Sequence, residues 1–404
     1  MTTRTRRTRN TRGTGRTRRT SRTGFAVAGS FLAALGMTAP AQAAEGATAA
    51  SCKPAIQILQ TLPGTDDPHP SPWVRHTQVS AIAPGPSRLA VGMSGMKPAY
   101  WIGEEVYAVP VPEGSGTGRV VDVNRSGLMV GQVTTREGGK AFSYRHGDPA
   151  ITVLPGGDEA SGVNDRGVIV GSLRDAAQNR TVGVEWSHGR PRRELPSPAG
   201  YMLYETSGLN NAGQVSGNGW ELERRPGAQF LAAPGLYWPA YPDSAPSVMA
   251  PFDDTGDHHV TREIDDTGRI VGYARRGKGP DSAEFAVVWN RPDGPAVYAP
   301  WAPGAIGGTF DSISPKTGIA VGLAEFTYAS PRPPDSPPAR AQYWTGKGPM
   351  RVLPGLGPSL FTAAFAVTDD DRVGGAALDA QNRVRPVIWT CASKQAYVLE
   401  SPRP

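Results

Sequence analysis

Histidine and cysteine are scarce in this chain: 404 residues hold six histidines and two cysteines. No His-Glu-x-x-His spacing occurs, no Gly-x-Ser-x-Gly elbow and no Walker-type phosphate loop. For a nucleophilic or metal hydrolase the sequence is therefore close to silent. Gly114-Ser115-Gly116-Thr117-Gly118 is glycine-rich, but no helical pattern follows it. Long apolar stretches of 3.6-residue period are also missing. Past the leader described next, no run approaches the ~20 continuous apolar residues that a membrane span needs. Glycine (50) and proline (39) are abundant instead, which favours short strands and many turns over helices.

Acid is absent from one segment. Residues 1–43 carry nine arginines, from Arg4 to Arg22, and no Asp or Glu. An apolar stretch from Phe25 to Leu35 and the small residues Ala41-Gln42-Ala43 complete the order of a secretory signal. Arg18-Arg19 ahead of the apolar stretch fits a twin-arginine leader, with the general secretory route as the alternative. The leader looks bacterial. Its removal takes nine of 42 basic residues, leaving 33 against 36 acids, so the +6 of the whole chain becomes −3. The basic charge therefore argues for export and gives no reason to expect nucleic acid. A soluble, secreted, monomeric protein is expected, with 44–76 as a closing strand and linker ahead of the repeats.

One phrase returns seven times: a small apolar residue, Asn or Asp, a polar pair, Gly, two or three apolar residues, Gly. It is clearest at Val123–Gly131, Val163–Gly171, Leu209–Gly217 and Ile264–Gly272, with weaker copies ending at Gly92, Gly322 and Gly375. In residues 119–157, a strand to Val123 meets the turn Asn124-Arg125-Ser126-Gly127 and returns along Leu128–Val133. Lys140–Tyr144 gives a third strand, and Ala150–Leu154 a fourth that Pro155 stops. Each third strand ends in an aromatic: Trp101, Tyr144, Trp186, Trp238, Trp289, Trp344 and Trp389. Four antiparallel strands per ~40–45 residues is the pattern of a propeller blade. An all-β, seven-bladed β-propeller over 77–404 is expected, with units starting near 77, 119, 161, 205, 261, 309 and 362. The recurring aromatics are expected to pack between blades.

An eighth copy of the fourth strand, Ala55–Leu62, stands alone near the N-terminus, where it is free to close the ring on the last blade. Cys52 precedes it and Cys391 follows the third strand of the last unit. Ring closure brings them together, so a Cys52–Cys391 disulfide is expected, in keeping with an oxidising compartment. The C-terminal segment Gln395–Leu399 competes for the same slot, and one of the two is expected as a fifth strand.

These residues resemble the extracellular HAF-type repeats of bacterial secreted proteins. The closest echoes are Val163–Gly171, Ile264–Gly272, Lys140-Ala141-Phe142 and Val153-Leu154-Pro155-Gly156-Gly157. The resemblance spans about residues 77–400. It departs where no His precedes Ala141-Phe142, where the first unit lacks the Asn-Asp turn, and where Asp371 replaces Gly. It implies a propeller-like shape and export, with no assigned reaction and no catalytic residue to carry over.

Candidate chemistry is sparse. Asp254-Thr255-Gly256 and Asp266-Thr267-Gly268 imitate aspartic-protease triplets, but the second fills the repeat turn and the two lie too close in sequence for matching lobes. The loop holding Asp253, Asp254, Asp257 and His258 offers metal ligands; its hard oxygens would suit calcium. A solvated loop is the plainer reading, and no cofactor is expected. The long insertions join second to third strands, on one face of a propeller. They carry Arg224 and Arg225, Arg275 and Arg276, and Arg332 and Arg340, interleaved with acids, and make that face the candidate contact surface. A binding or scaffold protein for an extracellular polysaccharide or protein is expected, rather than an enzyme. The alternative, a glycan hydrolase or lyase, needs paired carboxylates at the channel mouth, for which Asp158, Glu159 and Asp257 are the candidates.

Overall fold

The computed structural model describes residues 52–65, 76–175, 177, 180–197, 203–222, 230–231, 234–240, 245–249, 258–276, 283–326, 339–357 and 361–400. Residues 1–51 lie outside the described residues.

Seven antiparallel blades follow one another along the chain, the third and fourth joined into one sheet by a single parallel pairing of Thr181 with Leu203. The first strands, which are the innermost, are Gln78–Ile82, Gly118–Val123, Glu159–Val163, Leu203–Leu209, His258–Ile264, Gly307–Ile313 and Thr362–Val367. Blades 1 to 7 are numbered by them. In blade 2 the remaining strands are Met129–Thr135, Gly138–Tyr144 and Thr152–Val153, in that order outward. Blade 7 supplies only three strands from its own segment. Its fourth is Ala55–Ile58, which runs antiparallel to Val384–Thr390 with Ala55 opposite Thr390 and Ile58 opposite Val387. The N-terminal strand thus closes the ring.

Cys52 and Cys391 are bonded, with Cα atoms 5.8 Å apart across 339 residues of sequence. The competing segment does not join its own blade. After Cys391 the chain makes the short helix Ala392–Gln395 and swings to blade 6, where Tyr397 exchanges both backbone hydrogen bonds with Val352 (2.8 and 3.1 Å). The expectation that Gln395–Leu399 competes for the fourth slot of blade 7 is corrected in this way: Ala55–Ile58 holds that slot, and the C-terminal segment meets blade 6 through a single β-bridge and adds no fifth strand.

The repeated phrase has a mechanical explanation. Every first strand carries a bulge that puts two residues opposite one of the second strand. The last glycine of the phrase sits at that bulge. A methyl on Gly171 would collide with the Glu159 carbonyl oxygen and meet the Trp186 ring at 2.9 Å; equivalent collisions occur in the other six blades. The first glycine takes a left-handed φ, 76° at Gly127, to turn the hairpin tightly. Asp371 adopts the same conformation (φ 64°) where the last repeat lacks the glycine.

The aromatics pack between neighbouring sheets, as expected. Trp101, Trp186, Trp238, Trp289 and Trp389 are fully buried. Four of these reach back to the preceding fourth-strand segment: Trp101 Nε1 donates to Gln60 O (2.8 Å), Trp186 to Pro155 O (3.0 Å), Trp238 to Pro196 O (2.9 Å) and Trp389 to Pro354 O (2.8 Å). In three of the four the acceptor is the proline of a Leu-Pro ending.

A belt of hydrogen bonds joins the turns at one face. Asn124 Oδ1 accepts the amides of Ser126 and Leu128, capping its own turn, while Nδ2 donates to the Asn164 carbonyl of blade 3 (2.8 Å). Asn164 repeats this toward Asn210 (3.3 Å), and Asn210 toward Asp265 (2.8 Å). An outer row runs in parallel: the amides of Arg125, Asp165 and Asn211 donate to Asp165, Asn211 and Asp266 of the following blades. Asp265 has no side-chain N–H to pass on. Arg269 takes that role, with Nε on Asp265 Oδ2 (2.5 Å) and Nη2 on Lys316 O (3.4 Å). Blade 1 lacks the Asn turn, and Arg372 of blade 7 closes the belt on it, donating to Ser87 O (2.8 Å), Gly85 O (2.8 Å) and Ala83 O (3.3 Å).

Candidate functional site: the central channel

The seven first strands surround a channel with a cavity of about 680 Å³, a size that suits a small ligand. Its walls are polar and charged. Arg119 and Glu159, on blades 2 and 3, form an ion pair of 2.9 Å. Arg262 and Asp311, on blades 5 and 6, lie 3.9 Å apart, and Thr309 Oγ1 holds Asp311 Oδ2 at 3.2 Å. The Arg262 guanidinium also lies over the Tyr273 ring, 5.4 Å from its centre. Between these pairs run hydroxyls: Ser161 with Thr206 (2.6 Å) and Ser207 with Thr261 (2.8 Å). Glu205 faces the same space. Val121 and Phe365 contribute carbon on the side of blades 2 and 7.

Two channel acids directly follow the bulged residue of their strands (Val121 and Arg262) and reach across to the next blade. Asp122 Oδ2 accepts the Val163 amide (2.8 Å) and Oδ1 its neighbour Val123 (2.7 Å). Glu263 Oε2 accepts the Ile313 amide (2.8 Å). Ser312 does the same for Val367 (3.2 Å). Burial raises the Asp122 carboxyl above its usual range although both amide bonds favour its charged form. Burial likewise pushes Glu263 up to about 7, aided by the negative charges of Asp122 and Asp265 and opposed by hydrogen bonds from Ser312 and Ile313.

Among the described residues, two polar atoms at the channel wall have no hydrogen-bond partner: Gln78 Oε1 and Arg119 Nε. Gln78 is 6 % exposed, and its Nε2 reaches only Ser80 Oγ at 3.4 Å.

Of the candidate site residues that the structure describes, Glu159 alone lines the channel. The Asp158 carboxylate is turned to the Arg174 amide (2.5 Å). Asp257 lies outside the described residues, as do Asp253, Asp254, Arg224, Arg225 and Arg332 and the side chain of Arg276. His258 opens the first strand of blade 5 opposite Arg275. Among the described residues no three His, Cys, Asp or Glu side chains are grouped to hold a metal ion. Arg275 pairs with Glu284 at 3.7 Å within its own hairpin. Arg340 is 9 % exposed inside the third strand of blade 6, which does not suit a contact residue on a loop. Asp266, of the second protease-like triplet, serves the inter-blade belt.

Sequence reading missed Asp122, Glu205, Arg262, Glu263 and Asp311. Their signal is positional: each lies on a first strand, two to five residues before the Asn or Asp turn or its Ser314 equivalent. The bulge hides it, because alternation changes phase there.

No protein-family model matches the chain, and no curated protein does. Among solved structures the chain is similar to the β-propeller domain of the Trilobed protease from Pyrococcus furiosus, described as having an open velcro topology. Identity there is 11 % and the TM-score 0.48, over 81 % of this chain and 99 % of that one. It is also similar to a glycosyl hydrolase from Bacteroides ovatus, at 10 % identity and a TM-score of 0.26 over 60 % of this chain and 85 % of that one. A third likeness is to a glycoside hydrolase, at 10 % identity and 0.25 over 81 % and 94 %. None reaches a TM-score of 0.5, and the propeller assignment rests on this chain's own strand pairing. By that pairing the chain is a seven-bladed β-propeller, its ring closed by an N-terminal strand and a disulfide.

Proposed function

We propose that this chain is an exported binding protein that takes an extracellular glycan into its central channel. The observation that carries the reading is the channel itself: a ligand-sized cavity whose polar groups come from first strands locked together blade to blade. Hydroxyls, carboxylates and guanidinium groups side by side suit a hydroxyl-rich ligand that both donates and accepts. Preorganisation by the hydrogen-bonded belt lowers the ordering cost of binding. The leader, the disulfide and the resemblance to HAF-type repeats fit secretion.

A second reading, glycan hydrolysis or elimination, draws on Glu263, whose raised value near 7 is that of a general acid. Binding is preferred because Glu263 and Asp122 both bond the backbone of the following blade. The test is a panel of cell-wall and environmental polysaccharides, with calcium and then with chelator, following retention and released sugar together. Retention without release supports the binding protein. Release supports the enzyme. Neither outcome with any glycan contradicts the glycan reading and points to a protein ligand.

A further inference from the structure

The channel's charges are unbalanced. Nine acids line it, five of them on the first strands (Asp122, Glu159, Glu205, Glu263 and Asp311), against three arginines, Arg119, Arg125 and Arg262. In a confined cavity such an excess is screened less than on an open surface and attracts a cation. A single metal ion is a poor fit, because among the described residues no three of these side chains group closely enough to ligate one. The five first-strand acids are instead distributed over blades 2 to 6. That distribution matches a ligand with several positive charges spaced along an organic frame.

A second observation, independent of the acids, also asks for a donor. Gln78, 6 % exposed and on the channel wall, has an Oε1 with nothing donating to it. A buried acceptor left alone costs about 1–3 kcal/mol, which a ligand N–H or O–H recovers. Arg119 Nε, also unpartnered, can donate to a hydroxyl. The hydroxyls of Ser161 and Ser207 add sites of both kinds, and Val121 and Phe365 offer carbon to a sugar's apolar face.

From these observations we infer that the channel selects amino sugars: oligosaccharides with free, protonated amines, held by ammonium–carboxylate hydrogen bonds to Glu205 and Asp311. The inference rests on the channel-binding reading above and narrows it to one ligand class.

Two probes that differ only in this charge decide it. The glucosamine trimer and the N-acetylglucosamine trimer are titrated into the full chain by calorimetry, at low and high salt. The glucosamine trimer is expected to bind at least about tenfold tighter, about 1.4 kcal/mol, and to lose most of that margin in high salt. Glu205→Gln and Asp311→Asn, each checked for a wild-type melting temperature, are expected to shrink the margin to within about threefold. Equal binding, or preference for the acetylated trimer, overturns the amine selectivity and leaves channel binding in place. Binding of other glycans but neither trimer overturns the amino-sugar class alone. Retention of no glycan at all removes both.

Discussion

Asn124 of blade 2 donates from Nδ2 to the Asn164 carbonyl of blade 3 at 2.8 Å while its Oδ1 caps its own turn. One buried amide therefore shapes a hairpin and ties it to its neighbour. Asn124→Ala removes both roles and strands several backbone groups, so a loss of about 2–4 kcal/mol is expected from chemical denaturation. Asn124→Asp keeps the cap and loses the donor, and is expected to cost less than the alanine variant. An aspartate as costly as alanine would mean that the link between blades, not the cap, dominates.

The glycine at the bulge is a packing requirement. Gly171→Ala sets a methyl against the Glu159 carbonyl and the Trp186 ring, both buried in the blade. Neither backbone nor indole has room to yield, so a loss of about 3 kcal/mol or more is expected. A denaturation midpoint within error of wild type would contradict the bulge geometry.

Two devices close the ring between blades 7 and 1. Loss of the disulfide in the paired variant Cys52→Ser, Cys391→Ser is expected to cost roughly 2–4 kcal/mol. Arg372→Ala removes a guanidinium that serves three carbonyls of the blade 1 turn. Arg372→Lys is expected to restore less than half of the lost stability, because a point charge cannot span the three acceptors. Full rescue by lysine would show that charge alone matters there.

Glu263 makes stability depend on pH. Its carboxyl is raised from the usual 4.5 to about 7 in the folded chain. Below the lower value both states carry the proton and the contribution is fully present. As pH rises through the window, the unfolded chain ionises first and stability falls until the folded carboxyl has ionised too. Glu263→Gln keeps an acceptor for Ile313 without the charge. It is expected to melt together with wild type near pH 4 and a few degrees above it near pH 8. A variant less stable than wild type at the higher pH would contradict the sign.

The architecture was legible because its signals are local and repeated. The Asn-x-x-Gly turn, the third-strand aromatic and the Leu-Pro ending recur at each blade, and Ala55–Leu62 carries the fourth-strand pattern without its predecessors. Two cysteines at the ends of that arrangement left one pairing. The fate of Gln395–Leu399 was not legible, since its apolar pattern equals that of the true closing strand. The left-handed turn at Cys391 (φ 52°) and the following helix send it to blade 6. Arg269 and Arg372 have no place in the repeated phrase, yet each replaces a missing side-chain amide in the belt. The channel acids were hidden by the bulge, which moves Asp122 and Glu263 out of simple alternation.

The most direct test of the channel as the binding site is to fill it. Val121 faces the cavity from blade 2. The retention of the best-bound glycan is measured for Val121→Trp against wild type, at equal melting temperature. Channel binding predicts a loss of at least about tenfold in affinity. Unchanged affinity in a folded Val121→Trp protein would place the ligand elsewhere and contradict the account.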